Sequence, residues 1–263
     1  MIRKINKLIV QSPLHKTALK LHANKIYRSW SKENSRILGH KTIYSISPYK
    51  TGTTFLASCF DYEISRHEPI HHASVKKIGQ DFDGYFVRRL NSLNLKLEAS
   101  GFWSAYIDQL AAHPIGKELT YICVLRKPCS WATSVVNHWY QVKKYGQHYF
   151  WTNELYWKKI VGVDLANFFE YSEEEKLEVV SKLIKFYMSF TEKTAKLENV
   201  HYVWIKDLQN FVPTLEQLME EEAKLEKSEK NTGLLRQYTY ENNEIDESYM
   251  DLVNSLVKNQ VKS

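Results

Sequence analysis

The residues best suited to chemistry lie in one short stretch, Ser47-Pro-Tyr-Lys-Thr-Gly-Thr-Thr-Phe-Leu56, which holds a lysine, a glycine and three threonines. Gly52 lets the backbone approach a ligand closely, Lys50 adds a positive charge, and the threonine hydroxyls add hydrogen-bond donors. A turn between a strand and a helix would also direct its backbone N–H groups and the positive end of the helix dipole toward one point. The stretch therefore predicts a site for a phosphate or sulfate group.

The sequence on either side predicts the strand and the helix that this turn needs. Residues 42–47 alternate β-branched and aromatic residues with small ones, as a strand does, and residues 53–60 can begin a helix. A nucleoside-triphosphatase loop would read GxxxxGK followed by Ser or Thr, with the lysine directly after the second glycine. Here Lys50 comes two residues before Gly52, so the order of residues differs from that loop.

A second group suited to anion binding follows another predicted strand. Residues 121–126 form an apolar run that ends in Arg126, and Pro128 stops the strand before a predicted helix. Arg126 can bind a phosphate through two parallel hydrogen bonds, and Ser134, eight residues later, can donate its hydroxyl to the same group. Two anion sites on neighbouring strands would suit a nucleotide that is phosphorylated at both ends.

Both groups resemble the donor site of sulfotransferases that use 3′-phosphoadenosine-5′-phosphosulfate (PAPS). The order PxKxGTTxL at residues 48–56 resembles the 5′-phosphosulfate loop of this family, and Arg126 and Ser134 have the spacing of its 3′-phosphate site. Residues 200–208, VHYVWIKDL, are similar to a late strand of the same fold. The resemblance runs from about Lys41 to Leu208 and is stronger to bacterial and carbohydrate-type members than to cytosolic ones. It implies an α/β, three-layer, P-loop-like fold with a central parallel β-sheet flanked by helices.

The resemblance also implies a reaction and a set of donor-binding residues. The sulfuryl group of PAPS would pass by in-line displacement to a hydroxyl or amine of a carbohydrate or small-molecule acceptor, leaving adenosine 3′,5′-bisphosphate (PAP). Lys50 matches the lysine that neutralises the bridging oxygen as the bond breaks. The residues implied in holding the 5′-phosphate end are Tyr49, Lys50, Thr51, Gly52, Thr53 and Thr54.

Three further donor contacts are implied less directly. Phe55 stands where cytosolic members place a tryptophan against adenine, and packing in the core is the alternative. Lys230 and Asn231 lie in a polar stretch similar to the basic, glycine-containing loop that closes over the 3′-phosphate in this family. An ordinary linker is the alternative for that stretch.

The catalytic base has several candidates. Glu68, in Arg66-His-Glu-Pro69, follows the loop by about the interval at which related enzymes carry a catalytic glutamate, and burial can raise a carboxyl pKa enough for this role. His67 is an alternative because imidazole is the base in cytosolic members, and the same holds for the nearby His71 and His72. Glu98, at another predicted strand end, ranks second to Glu68.

Metal chemistry is not expected. A transferring sulfuryl group carries less negative charge than a phosphoryl group, so the magnesium used in phosphoryl transfer is not needed. No aspartate follows the predicted strands at 42–47 and 121–126. A P-loop kinase or other phosphotransferase is the alternative function, and a non-catalytic binding module with a decayed site is the third.

Length and charge predict one catalytic domain with a basic arm. The chain has 263 residues, 43% of them hydrophobic, and no Pro/Gly/Ser-rich linker, which fits a single domain over residues 36–263. Eight of the 36 Lys and Arg lie in residues 1–32, which hold no acidic residue. The rest carries 28 basic against 30 acidic residues, so the net charge of +6 belongs to the arm, residues 1–35. We therefore expect no nucleic-acid partner.

The arm fits two interpretations. Its lysines and apolar residues suit contact with a membrane surface or an acidic partner, or a helix packed on the core with lysines in solvent, and the second is favoured. The sequence has no apolar run of about 18 residues and no signal-peptide core. Three cysteines without metal-ligand spacing are typical of reduced thiols. These features predict a cytoplasmic protein.

Other elements follow from periodicity. Strands are predicted at 96–101 and 200–206, with a short one before His67, and capping boxes predict helix starts at residues 172–175 and 214–217. Leu177, Val180, Ile184, Tyr187 and Phe190 form a stripe expected in the core. The many aromatic residues between Trp131 and Trp157 predict an acceptor pocket or lid.

Overall fold

The computed structural model describes residues 13–30, 42–139, 151–224 and 237–260. The strands within these ranges are β1 Ile43–Ser45, β2 Ser65–His67, β3 Leu97–Ala99, β4 Thr120–Leu125 and β5 Val200–Trp204. The α-helices are α1 Pro13–Ser29, α2 Thr53–Ser58, α3 His71–Ile78, α4 Phe82–Leu93, α5 Ile107–Ala112, α6 Pro114–Glu118, α7 Pro128–Trp139, α8 Glu173–Lys193, α9 Leu208–Met219 and α10 Asn243–Gln260. A π-helix covers Thr152–Val161, and 3₁₀ turns cover Gly101–Ala105, Leu165–Glu170, Thr194–Lys196 and Ile205–Asp207.

The described strands form one sheet in the order β2-β3-β1-β4-β5, and every neighbouring pair is parallel. The chain is therefore an α/β protein with an all-parallel central sheet flanked by helices, as predicted. The strands predicted at 42–47, 96–101, 121–126 and 200–206 are confirmed to within two residues at each end. The short strand expected before His67 is β2, which includes His67 itself.

The sheet is buried on both faces, which explains the apolar runs of its strands. Side chains alternate along each strand, so every second residue faces the same side. On one side the strands pack against α2 and α9, in a core that holds Ile43, Leu56, Leu97, Ile122, Val124, Val203, Val212 and Leu215. On the other side Tyr44 stacks on Trp103 with ring centroids 4.8 Å apart.

The chain divides into two compact units. The strand unit comprises Leu38–Pro69, Asn94–Val135 and Leu183–Ser263, and it contains β1 to β5. The helical unit comprises Met1–Ile37, Ile70–Leu93 and Val136–Lys182. The predicted division into an arm of residues 1–35 and a domain of residues 36–263 stays a prediction, because residues 31–41 lie outside the described part of the chain.

Of the two predicted capping boxes, one is confirmed and one is wrong. Glu175 Oε2 accepts from the backbone N of Ser172 at 2.8 Å, and the Ser172 hydroxyl accepts from Glu175 N at 3.3 Å, which is the reciprocal capping geometry. The second helix, α9, starts at Leu208 and not at residue 214. Helix α9 has a buried face with helical spacing, made of Leu208, Val212, Leu215 and Met219. Because this face is already packed from Leu208 onward, the helix starts before the position that the local capping pattern predicts.

The stripe predicted on α8 is confirmed in four of its five positions. Val180, Ile184, Tyr187 and Phe190 are buried. Leu177 is 52% exposed, so the stripe begins one turn later than expected. The spacing gave the correct face of the helix, but spacing alone does not say how far along that face the core extends.

The described portion of the basic arm is α1, which lies against α3 within the helical unit. Ala23 and Trp30 are buried, and His22 Nδ1 lies 2.9 Å from His72 Nε2. These contacts match the interpretation of a packed helix, while contact with a membrane or an acidic partner stays a prediction. In the described residues, no helix combines the length and the apolar character that crossing a bilayer requires.

Candidate functional site

The strand order identifies where a ligand should bind. From β1 the chain continues to β2 on one side of the sheet, and from β4 it continues to β5 on the other side. In open parallel sheets the carboxyl ends of two such strands flank the usual ligand position, because the connections leave in opposite directions there. Lys50 follows β1 and Arg126 directly follows β4, so both predicted anion-binding groups flank this position.

Arg126 links the two predicted groups directly. Its Nη1 donates to the carbonyl oxygen of Lys50 at 3.0 Å, and its Nε donates to the Ser130 hydroxyl at 3.1 Å. One helical turn into α7, Trp131 Nε1 donates to the carbonyl oxygen of Tyr49 at 2.8 Å. The end of β4 and the start of α7 therefore hold the loop after β1 through two consecutive carbonyl groups.

The loop and its neighbour after β2 have unusual backbone angles. Lys50 has φ 71°, Gly52 φ 90°, Glu68 φ 47° and Ile70 φ 45°, all in the left-handed region. For residues other than glycine this conformation costs about 1–3 kcal/mol each, and it persists where surrounding contacts fix it. Such residues cluster at functional sites, and Lys50, Gly52 and Glu68 follow β1 and β2, at the carboxyl ends of these strands.

The structure gives a reason for glycine at position 52 that the sequence did not show. A Cβ atom there would lie 2.6 Å from Leu208 Cδ1, so the leucine side chain at the start of α9 would have to shift. The positive φ adds to this requirement. The expectation that glycine serves close approach of a ligand is therefore not needed to explain it.

The three threonines of the loop do not act alike. Thr51 is fully buried, and its hydroxyl donates to the Pro48 carbonyl at 2.7 Å, so it stabilises the turn and does not point toward a ligand. The hydroxyls of Thr53 and Thr54 lie 3.1 and 3.3 Å from His67 Nε2. Thr53 is buried and Thr54 is partly exposed, so the Thr54 hydroxyl is the more accessible of the two.

Glu68 has the properties expected of a base. Burial raises the pKa of Glu68 to about 8. The backbone N–H of Gly101 and the Lys50 ammonium favour the charged form and lower this pKa, while the Glu98 charge adds a smaller rise. Its side chain is 16% exposed, so Glu68 is mostly shielded from solvent. A carboxyl group with this pKa accepts a proton near neutral pH far more readily than an ordinary glutamate.

Arg126 and Glu68 act in opposite directions on the pKa of Lys50. Burial lowers the pKa of Lys50 below its usual range, the Arg126 guanidinium lowers it further, and the Glu68 carboxylate raises it. Two cations and one carboxylate therefore act on one another at the ends of β1, β2 and β4. This arrangement can hold an anion with positive charge beside a group that takes up a proton.

His67 is a weaker base than Glu68. Burial, followed by the Lys50 ammonium, lowers the pKa of His67 to about 4, so its ring is neutral at pH 7. Its Nε2 also contacts the hydroxyls of Thr53 and Thr54. We assign His67 to orienting these hydroxyls, and Glu68 stays the preferred base.

The other three candidates for the base are engaged elsewhere. Glu98 is 1% exposed, and its Oε1 accepts from Trp103 Nε1 at 2.9 Å. His71 and His72 belong to the helical unit, where their Nε2 atoms contact Thr152 and His22. Glu98 influences the site through its charge on Glu68.

The remaining predicted donor contacts have mixed outcomes. Phe55 is partly buried and packs against the core that contains Leu56, which matches the core alternative. Ser134 lies on α7 four residues after Ser130, so both hydroxyls lie on one helical face with Arg126 bonded to the first of them. Lys230 and Asn231 lie outside the described residues.

Sequence reasoning missed three residues of this site. Ser130 and Trp131 lie between Arg126 and Ser134 and contact the guanidinium and the loop, as described above. The Tyr187 hydroxyl accepts from Arg126 N at 2.9 Å, and its ring stacks on Trp131 with centroids 4.5 Å apart. Tyr187 is 61 residues from Arg126, and nothing in the spacing of the α8 stripe distinguished it from a core residue.

The aromatic stretch predicted to form an acceptor pocket is partly core. Trp131, Trp139, Tyr156 and Trp157 are each at most 1% exposed. Residues 140–150, which hold much of the rest of the stretch, lie outside the described part of the chain. The acceptor pocket therefore stays a prediction, carried by fewer residues than expected.

All three cysteines are free and buried, and burial raises the pKa of the Cys123 thiol to about 12. In the described ranges no three His, Cys, Asp or Glu side chains come together as a metal site would require.

Comparison of the sequence with models of protein families, with curated proteins and with solved structures found no match in any of the three. The functional interpretation therefore depends on the site itself.

Proposed function

We propose that this protein is a PAPS-dependent sulfotransferase with a P-loop-like fold, acting on a hydroxyl or amine of a carbohydrate or small molecule. One observation carries the proposal: the Arg126 guanidinium donates to the Lys50 carbonyl at 3.0 Å. This bond joins the two groups that resemble the 5′ and 3′ phosphate sites of the family. A donor with a negative charge at both ends needs both groups within one site.

The residues present fit such a donor. The loop at 49–54 offers backbone N–H groups, the Lys50 ammonium and the hydroxyls of Thr53 and Thr54 for the 5′ end. Arg126, Ser130 and Ser134 offer a guanidinium and two hydroxyls for the 3′-phosphate. PAPS would supply the sulfuryl group and leave as PAP.

In the proposed mechanism the protein moves one proton and stabilises one developing charge. Glu68 accepts the proton of the acceptor hydroxyl or amine while that atom bonds to sulfur. The bond between sulfur and the bridging oxygen breaks on the opposite side, and Lys50 stabilises the negative charge that stays on the leaving phosphate. His67 keeps the hydroxyls of Thr53 and Thr54 in place.

Thermal unfolding with candidate donors tests the proposal. Saturating PAP should raise the Tm by several degrees, because a ligand that binds only the folded state stabilises it. ATP with magnesium should not. The Arg126→Ala variant should lose the PAP effect, while Lys206→Met, at an exposed lysine of the same unit, should keep it.

The other two functions predict different outcomes. A phosphotransferase would be stabilised by ATP with magnesium and not by PAP. A binding module with a decayed site would respond to neither nucleotide. Either result would contradict the sulfotransferase proposal.

A further inference from the structure

The turn from β4 to α7 is held by side chains of two later helices. On α8, the Tyr187 hydroxyl accepts from Arg126 N at 2.9 Å. On α10, Asp246 Oδ1 accepts from Cys129 N at 3.2 Å. Pro128 lies between these two residues and has no N–H group. Residues 61 and 117 positions away therefore fix the turn at both of its ends.

Asp246 caps α7 from another part of the chain. The first N–H groups of a helix have no partner within it, and negative charge near them is favourable. The first turn of α7 has no acidic residue of its own, and Asp246 supplies the missing charge. This end of α7 therefore offers a ligand its side chains and not the Cys129 N–H, which the protein already engages.

The chain before α10 makes further contacts with the same part of α7. The Cys129 thiol donates to the Asn242 carbonyl oxygen at 3.5 Å, and Tyr240 N donates to the Thr133 hydroxyl at 3.1 Å. Asn242 Oδ1 accepts from Ile245 N at 3.1 Å, so this residue also caps α10. The start of α10 and the residues before it therefore pack along the first two turns of α7.

Helix α10 also helps to fix the Tyr187 side chain. The Tyr187 ring stacks on Trp131 with centroids 4.5 Å apart, and the Tyr249 ring of α10 lies 5.4 Å from it. The Thr191 hydroxyl has one proton, which it donates to the Tyr187 carbonyl at 3.0 Å. Tyr249 must therefore be the donor in its 3.2 Å contact with the Thr191 hydroxyl. These contacts hold the group that accepts from Arg126 N.

We propose that α10 positions the Arg126 guanidinium for the 3′-phosphate, with Asp246 and Tyr249 as positioning residues. The guanidinium also donates to the Lys50 carbonyl and the Ser130 hydroxyl, so a shift of the turn would change its orientation. Two parallel hydrogen bonds to a phosphate require a fixed guanidinium plane. This inference rests on the proposed function and assigns to α10 a part in donor binding.

The first test changes the direct contact between α10 and the turn, in the full chain. Asp246→Ala removes the acceptor of the Cys129 N–H, whereas Asp246→Asn keeps an oxygen that can accept it. Asp251→Ala, at an exposed aspartate of the same helix, is the matched control. PAP affinity is measured by calorimetric titration, and kcat and KM by release of PAP from PAPS, at a temperature well below the Tm of every variant.

Asp246→Ala should bind PAP about tenfold more weakly than the wild type and should raise KM for PAPS with kcat largely kept. The reason is that the ground state and the transition state share the 3′-phosphate contact. Asp246→Asn should recover most of the affinity, and Asp251→Ala should match the wild type. A merely structural role would lower kcat through loss of folded protein and leave KM unchanged, which would overturn the proposal. Equal or tighter PAP binding by Asp246→Ala would also overturn it.

Tyr249→Phe tests the second contact. It keeps the ring beside Tyr187 and removes the hydroxyl that donates to Thr191. We expect PAP affinity to fall about threefold, because a buried hydrogen bond that supports Tyr187 is lost. Tyr62→Phe, at an exposed tyrosine of the same unit, should keep full affinity. Equal affinity of both variants would overturn the assignment of Tyr249.

Hydrogen exchange without PAP separates this inference from the proposed function. Amide exchange over residues 126–131 should be faster in Asp246→Ala than in the wild type, and unchanged in Asp251→Ala. A wild type that bound no PAP would contradict the proposed function, while this exchange pattern would still show that α10 holds the turn. Unchanged exchange in Asp246→Ala would instead overturn the role of α10, whether or not PAP binds.

Discussion

Two regions of this protein gather cations, and they balance them differently. In the strand unit, Lys50 and Arg126 lie with the Glu68 carboxylate, and Arg126 is held by a backbone carbonyl and a serine hydroxyl. In the helical unit, the Lys76 ammonium lies 4.4 Å from the centroid of the Trp151 ring, and Lys20 and Lys77 act on its pKa as like charges. The first arrangement sets a carboxyl group that can take up and release a proton beside two cations, while the second sets an aromatic ring beside its cation.

The difference indicates different tasks. A site that already fixes its charges and hydrogen bonds does not have to reorganise when charge develops in a reaction, which is the main source of electrostatic catalysis. The Lys76 contact with the Trp151 ring is a cation–π contact, which holds a side chain in place and moves no proton. Variants that remove one charge at a time test this distinction.

The largest effect is expected for Lys50→Met. Without the ammonium, nothing replaces the charge that stabilises the leaving phosphate, so release of PAP from PAPS should fall about 100- to 1000-fold. Tm should stay equal or rise, because burial works against the Lys50 charge. Lys206→Met, at an exposed lysine, should retain full rate. An equal loss of rate in Lys50→Met and Lys206→Met would show that Lys50 has no specific role in the reaction.

Glu68→Gln should produce the next largest effect, a loss of about 100- to 10,000-fold in turnover with PAP affinity largely kept. The wild-type kcat/KM should rise as pH increases through about 8, because only the deprotonated carboxylate accepts the proton. The variant should lack this rise. A Glu68→Gln protein that retains both full turnover and the pH-dependent rise would assign the base to another group.

The sequence predicted the parts of this site better than the bonds between them. The loop, Arg126 and Glu68 follow strands with recognisable sequence patterns, and Ser134 was found from its spacing of eight residues after Arg126. The Arg126 bond to Lys50 joins residues 76 positions apart, and the Tyr187 contact depends on packing of α8. Neither contact has a local pattern.

Fold prediction shows the same division. Parallel strands were predictable because burial on both faces makes them apolar runs. The start of α9 and the exposure of Leu177 were not, since tertiary packing decides them and local spacing does not show it. The left-handed backbone conformation of Lys50 and Glu68 could not be predicted either, because residues other than glycine rarely adopt it.

Trp131→Phe should weaken PAP binding without abolishing it. The change removes the Nε1–H that holds the Tyr49 carbonyl, while a smaller ring stays against Tyr187. An unpaired buried carbonyl costs about 1–3 kcal/mol, so affinity should fall about tenfold in calorimetric titration. Trp139→Phe, eight residues later on α7, makes the same change without a bond to the loop. Equal losses in both variants would indicate general destabilisation.

The smallest effect is expected for Glu98→Gln, which distinguishes the role of Glu98 from that of Glu68. Glutamine keeps an oxygen that can accept from Trp103 Nε1, so folding and turnover at high pH should change little. The Glu98 charge raises the pKa of Glu68, and its removal should therefore move the pH midpoint of kcat/KM to a lower value. If Glu98 were the base, its loss would instead lower turnover at every pH, as predicted for Glu68. The direction of this small shift distinguishes a carboxylate that tunes its neighbour from one that takes the proton.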